Sequence, residues 1–521
     1  MAGPVSSLQQ FGLNRFPQPH SVVTDANQGF LLPLLVQDCP IRSVIDNEVD
    51  LFSRSSPLVD PAFLDADISV GHYFVAYEAM DPLYKSRIRN FKSSLSDVKT
   101  PQLTIPLLDL YAAAPDTDGS YPVHNYFGPG SLFDRLGFSI SPSVPEAFGP
   151  SSGSVVMNLY PFLAYHMICD WYFTNRNMDN CYRTVQMVHQ LLEGSLKKLV
   201  FSLADISTAF SKADAESGFD HNAGFINWIL RDLRSCNFAP DYFTAARRKA
   251  SGSDVYLPGT TNNPAKATVH NLLDAELIQK VADMLYEGGY SYNDFVRILF
   301  DASGDASETE NPQFLGGTTM PLQVSTVVQQ ADSAESPLGS QAGNVSAYIN
   351  GQNRIHKVVT RPGIYMVLAW IRPHVYYTAG IDRIFSQTSI ADGVIPQFAD
   401  MTNAPIFQYE LNGDAASFAK GPETASIFGY ADRYESYRTR VNRAQGSMRT
   451  TRRSWFLSRG YNRISAVGNL VQSPAFITMG SQADYSPWLV TDRDTPHFFL
   501  RAYHNFTMTH LLPAKSRPYV W

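Results

Sequence analysis

The sequence predicts a mainly β chain of the double-sheet kind, interrupted by long helical insertions. Three observations lead there. Strand-like runs occupy both ends of the chain, helical spacing is confined to the middle, and one late run is apolar almost throughout. Such a run reads as a strand buried on both faces. Its sheet must then pair residues hundreds of positions apart.

The segments 6–16 and 18–28 read as irregular and make up an N-terminal arm over 1–28. Residues 69–77 (Ser-Val-Gly-His-Tyr-Phe-Val-Ala-Tyr) are rich in β-branched and aromatic side chains, as a strand should be, and 101–105 is a second candidate. Gly and Pro punctuate 119–150, which reads as an extended, ordered loop. A helix is predicted over 160–173, with Pro161 where the first turn tolerates it. Others are predicted over 225–236, 274–287 and 291–300. In 274–287, Leu277, Ile278, Val281 and Leu285 share a face and Gly288 follows as a stop signal. Residues 251–266 are polar and turn-rich. Strands return at 323–328 and 363–373. The strands thus fall in about 29–110 and 320–521, with insertions over about 111–310.

Of the 521 residues, 17% are charged and 65 are Phe, Tyr or Trp. That composition excludes intrinsic disorder, which needs low hydrophobicity and high net charge. It implies large buried surfaces, some of them between chains. No run approaches the ~20 apolar residues of a membrane helix, and the first residues lack a secretory pattern. Four scattered cysteines read as reduced thiols in a cytoplasmic setting. Phosphate-binding loops, nucleophile elbows and zinc-protease signatures are missing, and nothing positions a nucleophile beside a base. No enzyme activity and no cofactor is expected. His166, Cys169, Cys181 and His189 offer an H-x-x-C step, but the remaining gaps match no zinc signature, so structural roles are the better reading. Asp116-Thr-Asp-Gly119 reads as a turn rather than a calcium loop.

The net charge of −7 hides an asymmetry. Residues 431–521 carry 13 basic and five acidic side chains, so the rest of the chain holds a surplus of 15 acids. Twelve of the 13 are Arg, which pairs with phosphate and stacks on planar groups. Aromatics are interleaved, including Tyr434, Tyr437, Trp455 and Tyr461. A basic surface with aromatic platforms holds single-stranded nucleic acid without reading its sequence. The candidate contacts are Arg438, Arg440, Arg443, Arg449, Arg452, Arg453, Trp455, Arg459, Tyr461, Arg463, Lys515 and Arg517. The alternative is that these cations pair with acids elsewhere on the chain or on a neighbour.

Phe428-Gly-Tyr-Ala-Asp-Arg-Tyr-Glu-Ser-Tyr-Arg438, then Gly446-Ser-Met-Arg449 and Trp455, resembles a hallmark segment of microvirus major capsid proteins, especially the gokushovirus branch. Ala431-Asp432 stands where that branch has Gln-Glu. In the same order, Asn311-Pro-Gln-Phe-Leu-Gly-Gly317, Val324-Ser-Thr-Val-Val-Gln329 and Pro337-Leu-Gly-Ser-Gln-Ala-Gly343 resemble further family motifs. So do Asp241-Tyr-Phe-Thr244 and the stretch 275–292. The resemblance runs from about Gly29 onward. It implies one eight-stranded jelly-roll domain over 29–521 with long insertions. It implies about sixty copies assembling around a circular single-stranded DNA genome, in a virion built in the host bacterial cytoplasm. Minor capsid or pilot, scaffolding and DNA-binding proteins of the same virus are further implied partners, with no membrane insertion. A protrusion contacting the host would lie within 174–270. Two rival readings remain: a carbohydrate-active or carbohydrate-binding β-sandwich, and a monomeric single-stranded DNA-binding protein.

Overall fold

The computed structural model describes residues 12–60, 62–89, 100–111, 120–122, 127–141, 143–145, 154–174, 200–202, 232–248, 311–328, 341–349, 353–388, 393–398, 403–421, 425–457, 472–479, 483–492 and 495–512. The helices predicted over 274–287 and 291–300 and the polar stretch 251–266 lie outside them, as do most of 174–270 and the turn 116–119.

The strands that build the sandwich are, in chain order, β1 (Asn14–Pro17), β2 (His20–Ala26), β3 (Leu32–Cys39), β4 (Val44–Asn47), β5 (Val49–Ser55) and β6 (Ala66–Ala76). After the insertions come β7 (Gln313–Pro321), β8 (Gln323–Val328), β9 (Gln341–Ile349), β10 (Ile355–Val358), β11 (Gly363–Pro373), β12 (Phe498–His504) and β13 (Thr507–His510). One sheet has the order β7-β6-β11-β3, and the facing sheet β8-β9-β5-β12-β2. Every pairing in both is antiparallel. The chain is therefore mainly β and built as a jelly-roll-like sandwich. Among the described residues the facing sheets hold four and five strands rather than eight in all. A short sheet, β1-β13-β4-β10, carries the second sheet onward past Glu48 and Asn505.

Strand β11 follows the predicted 363–373, and the register from Gly363↔Ala76 to Pro373↔Ala66 pairs it with β6 along all eleven residues. Both are buried on two faces because two cores flank their sheet. Between the sheets lie Leu34, Leu51, Ile68, Val70, Val367, Trp488, Phe498 and Leu500. On the other side Tyr73, Val75, Ile364, Met366 and Leu368 meet the helix Tyr160–Tyr172. That helix starts with Pro161 in its first turn, and Asn158 Oδ1 accepts the Tyr160 N–H at 3.1 Å. It is buried from Phe162 to Asp170, and its one interior charge, Asp170, accepts from Arg234 Nη2 at 2.8 Å. Strand β12 shows the other pattern, buried and exposed residues alternating, as expected where one face meets solvent.

Close approach of the two central strands requires Gly363. A Cβ there would lie 2.2 Å from the Val75 carbonyl oxygen and 2.8 Å from the Ala76 Cα, both backbone atoms that cannot swing aside. Gly363→Ala is expected to destabilise the chain by about 3 kcal/mol, read as a drop in thermal midpoint.

Two sequence expectations change. The segments 6–16 and 18–28, expected to be irregular, contain strands β1 and β2. Their partners are β13 and β12, almost 500 residues away. The alternation in His-Ser-Val-Val-Thr-Asp-Ala is short, and only its distant partner makes it a strand. The helix expected over 225–236 fails in its described part. Ser235 bridges to Phe30, and the Cys236 N–H donates to the Gly29 carbonyl at 2.7 Å. Those backbone groups are taken by the connection between β2 and β3 rather than by a helical turn. In the predicted loop 119–150, the short strands Ser120–Pro122 and Ser143–Pro145 pair, and a one-turn helix spans Leu132–Arg135.

The core also holds a polar cluster. His72 Nδ1 lies 2.7 Å from the Tyr365 hydroxyl, which accepts from Asn47 Nδ2 at 2.9 Å. Asn47 Nδ2 also lies 3.5 Å from His504 Nδ1, and His20 stacks on His504 at 4.9 Å. Burial pushes His72 down to about 4. Burial, with His20 and His72 nearby, pushes His504 down to about 3. Both rings are neutral at ordinary pH.

Candidate nucleic-acid interface

The Arg-rich segment starts from a small platform at one end of the sandwich. Strand Ile427–Ala431 pairs antiparallel with Ala404–Phe407. Beneath them Tyr242, Phe243, Tyr377, Ile406, Phe428 and Phe476 form a separate aromatic core. Asp241 organises its edge. Its Oδ1 accepts the N–H groups of Phe243 and Thr244 at 2.9 and 2.8 Å, and its Oδ2 accepts the Tyr377 hydroxyl at 2.6 Å. An aspartate bonding backbone two and three residues ahead makes a self-supporting turn. Asp241-Tyr-Phe-Thr244 is thus a structural motif here. Gln472 locks the turn, since its Nε2 donates to the carbonyls of Phe243, Thr244 and Ala246.

Glu410 lies buried at the back of this platform. Its Oε1 accepts the Phe407 N–H at 3.1 Å, its Oε2 accepts the Tyr242 hydroxyl at 3.1 Å, and Arg383 Nη1 stands 3.7 Å from it. Burial raises its carboxyl above the ordinary value, against the pull of Arg383. A cleft of about 400 Å³ opens in front of the group, with Asp382, Phe385, Arg440 and Arg443 on its walls.

From Ala431 the chain turns outward. Tyr434 takes a left-handed backbone (φ 68°), which a non-glycine residue adopts at a cost of about 1–2 kcal/mol. Its hydroxyl accepts the Ile395 N–H at 3.1 Å, and its ring meets Tyr437 edge-on at 6.3 Å. That strained residue opens the one-turn helix Glu435–Arg438 and swings the following arginines onto the surface.

The structure places seven of the twelve candidate residues. Arg438 lies 3.4 Å from Glu435. Arg440 and Arg443 share one carboxylate, Asp382, at 3.8 and 3.5 Å. Arg449 Nε donates to the Thr378 carbonyl at 2.6 Å, and Arg453 Nε to the Arg449 carbonyl at 3.1 Å. The Arg452 guanidinium stands 5.6 Å from the Trp455 ring. Arg459, Tyr461, Arg463, Lys515 and Arg517 lie outside the described residues. Pairing within the chain, the alternative raised from composition, thus describes Arg438, Arg440 and Arg443 in part. It does not cancel the charge. Residues 425–457 hold seven arginines and two acids, and the Arg440 side chain is 86% exposed.

Besides Arg433, which stands 5.6 Å from the Tyr434 ring, two cations missing from the candidates join this surface. Arg247 bridges to Tyr430 and stands 3.5 Å from Asp432, and Arg383 lines the cleft. The basic run Arg247-Arg-Lys249 just after Asp241-Tyr-Phe-Thr244 was a visible signal for the first. Arg383 had none. Among the described residues no three His, Cys, Asp or Glu side chains gather as a metal site. His166 and Cys169 sit in the buried helix, with His166 edge-on to Phe162 at 4.4 Å, while Cys181 and His189 lie outside the described residues.

The platform, the Asp241 turn and the Arg-rich segment all fall within a stretch that matches a known family. The model of the family described as "Capsid protein (F protein)" matches residues 203–520. The chain belongs to this capsid protein family. Similar proteins agree with that assignment. The chain is 28% identical over 188 residues to the capsid protein VP1 of Bdellovibrio phage phiMH2K, which covers 35% of this chain and 34% of that one. It is 25% identical over 264 residues to the capsid protein VP1 of Chlamydia phage 1, covering 49% and 42%. It is 24% identical over 193 residues to that of Spiroplasma virus 4, covering 36% and 34%. The aligned stretches span between a third and about two fifths of these relatives' length. In this capsid-family chain the matched region includes β7 to β13 and the whole Arg-rich segment.

Proposed function

We propose that the chain is the structural, non-catalytic major subunit of a small icosahedral virion. About sixty copies enclose a circular single-stranded DNA genome, with the Arg- and aromatic-rich C-terminal region facing it. The observation that carries this reading is the surface of residues 425–457. Seven arginines against two acids are held there on an ordered platform, beside Tyr434, Tyr437 and Trp455. A surface of that composition neutralises phosphates and stacks unpaired bases. The jelly-roll domain carries its insertions between strands. A protrusion within 174–270 contacts the host, and other proteins of the same virus join the particle. Negative-stain imaging of the purified chain tests the assembly: closed shells of one size are expected, and monomers or small oligomers would overturn it. DNA retention should weaken steeply as salt rises, because bound counterions are released from the phosphates on binding. Retention independent of salt would exclude the arginine surface as the contact.

A further inference from the structure

Phe63 is far from the Arg-rich segment in sequence and next to it in space. It belongs to the loop that follows β5. Leu58, Ala62 and Leu64 bury their side chains under this loop, which leaves Phe63 pointing out with 65% of its surface exposed. The loop is anchored at its tip. The Phe63 N–H donates to the Trp455 carbonyl at 2.6 Å, Phe63 bridges to Phe456, and the Ser454 hydroxyl donates to the Asp60 carboxylate. Phe456 in turn packs edge-on against Tyr376 at 5.6 Å.

The Phe63 and Trp455 rings stand 6.2 Å apart at 47°, an open angle rather than a closed stack. The Arg452 guanidinium lies 5.6 Å from the indole. Arg449 and Arg453 follow on the same short segment, joined by the Arg453–Arg449 bond. The Asp60 carboxylate at this corner is engaged by Ser454, and that of Asp65, two residues beyond Phe63, by the Tyr376 hydroxyl.

We infer that Phe63 and Trp455 are the two rings of a stacking site for an unpaired base, with Arg452 and Arg453 taking the adjoining phosphates. This inference rests on the proposed reading and adds to it a residue from the N-terminal half of the chain. Phe63 is exposed and Trp455 half-buried, and accessible aromatic rings on rigid supports, bordered by arginines, are what sequence-independent single-strand binding uses. A contact with a second copy of the chain is the competing role, since Val59 and Leu489 add exposed aliphatic groups on the ribbon where Val59 bonds Pro487 and Leu489 bonds Pro57.

The test measures binding of a fluorescent oligothymidylate to the full chain by anisotropy, for Phe63→Ala, Phe63→Leu and Phe63→Tyr. Each variant is first confirmed to melt like the parent. Alanine and leucine should weaken binding roughly tenfold, and tyrosine, which keeps the ring, should stay within about twofold. Leucine binding like the parent would overturn the inference. So would an alanine variant that keeps its oligonucleotide affinity but no longer forms shells, because Phe63 would then serve a copy-to-copy contact. The paired variant Arg452→Ala/Arg453→Ala separates the two levels. If it loses binding while Phe63→Leu does not, only the inference falls. If the parent chain shows no salt-sensitive binding, the proposed reading falls with it.

Discussion

Replacing Arg452, Arg453 and Arg459 together by alanine is expected to give particles that assemble normally and hold about tenfold less DNA per protein. The Arg452 guanidinium faces the Trp455 ring and the Arg453 Nε–H donates to the Arg449 carbonyl, both within the Arg-rich segment. Shell interfaces should therefore survive. On a single strand each phosphate contact contributes about 0.7 to the slope of log affinity against log salt, so losing three should flatten that slope by about two. The absorbance ratio of purified particles and a salt titration of DNA release measure both. Mutant particles with a normal DNA-to-protein ratio would remove these residues from the interface.

Acid should destabilise the subunit well before its carboxylates titrate. His72 and His504 are fully buried, and in the fold their values are pushed from the ordinary 6.5 down to about 4 and about 3. The unfolded chain takes up both protons as pH falls through 6.5, while the folded chain refuses them until much lower. The stability from keeping these rings neutral is complete above pH 6.5 and is lost progressively down to about pH 3. Across that window His72 accounts for roughly 3 kcal/mol and His504 for roughly 5 kcal/mol. Urea titrations of the unassembled subunit at pH 7.5, 6.5, 5.5 and 4.5 would show the loss while most exposed carboxylates stay charged. His504→Asn should flatten the profile between pH 6.5 and 4.5. A flat profile in the parent chain would mean that the rings are charged in the fold.

Much of this was legible in the residues. Strands 323–328 and 363–373 follow from local pattern, because a two-residue period and a continuous apolar run are properties of short windows. The helix Tyr160–Tyr172 was readable for the same reason, its apolar content and Pro161 both lying within one segment. The basic character of the C-terminal region needed only counting. Strand β2 was not legible, since seven residues of modest β propensity become a strand only when β12 supplies the partner. The 3.5 and 3.8 Å contacts that tie Arg443 and Arg440 to Asp382 were equally hidden, because about 60 residues separate the groups. Phe63 looks like any loop phenylalanine until Trp455 stands beside it.

The low charged fraction, the split between an acidic body and a basic end, the central apolar strand and the family's motifs were set by the sequence alone, since each is a property of composition or of neighbours along the chain. Tertiary structure decided which arginines are engaged by acids, how the strained Tyr434 turns the segment outward, and which distant aromatic joins Trp455. It also decided that His72 and His504 are held neutral. Those outcomes depend on contacts between groups tens to hundreds of residues apart. Coulomb interactions, ring packing and desolvation act over a few ångströms of space, whatever the distance along the chain.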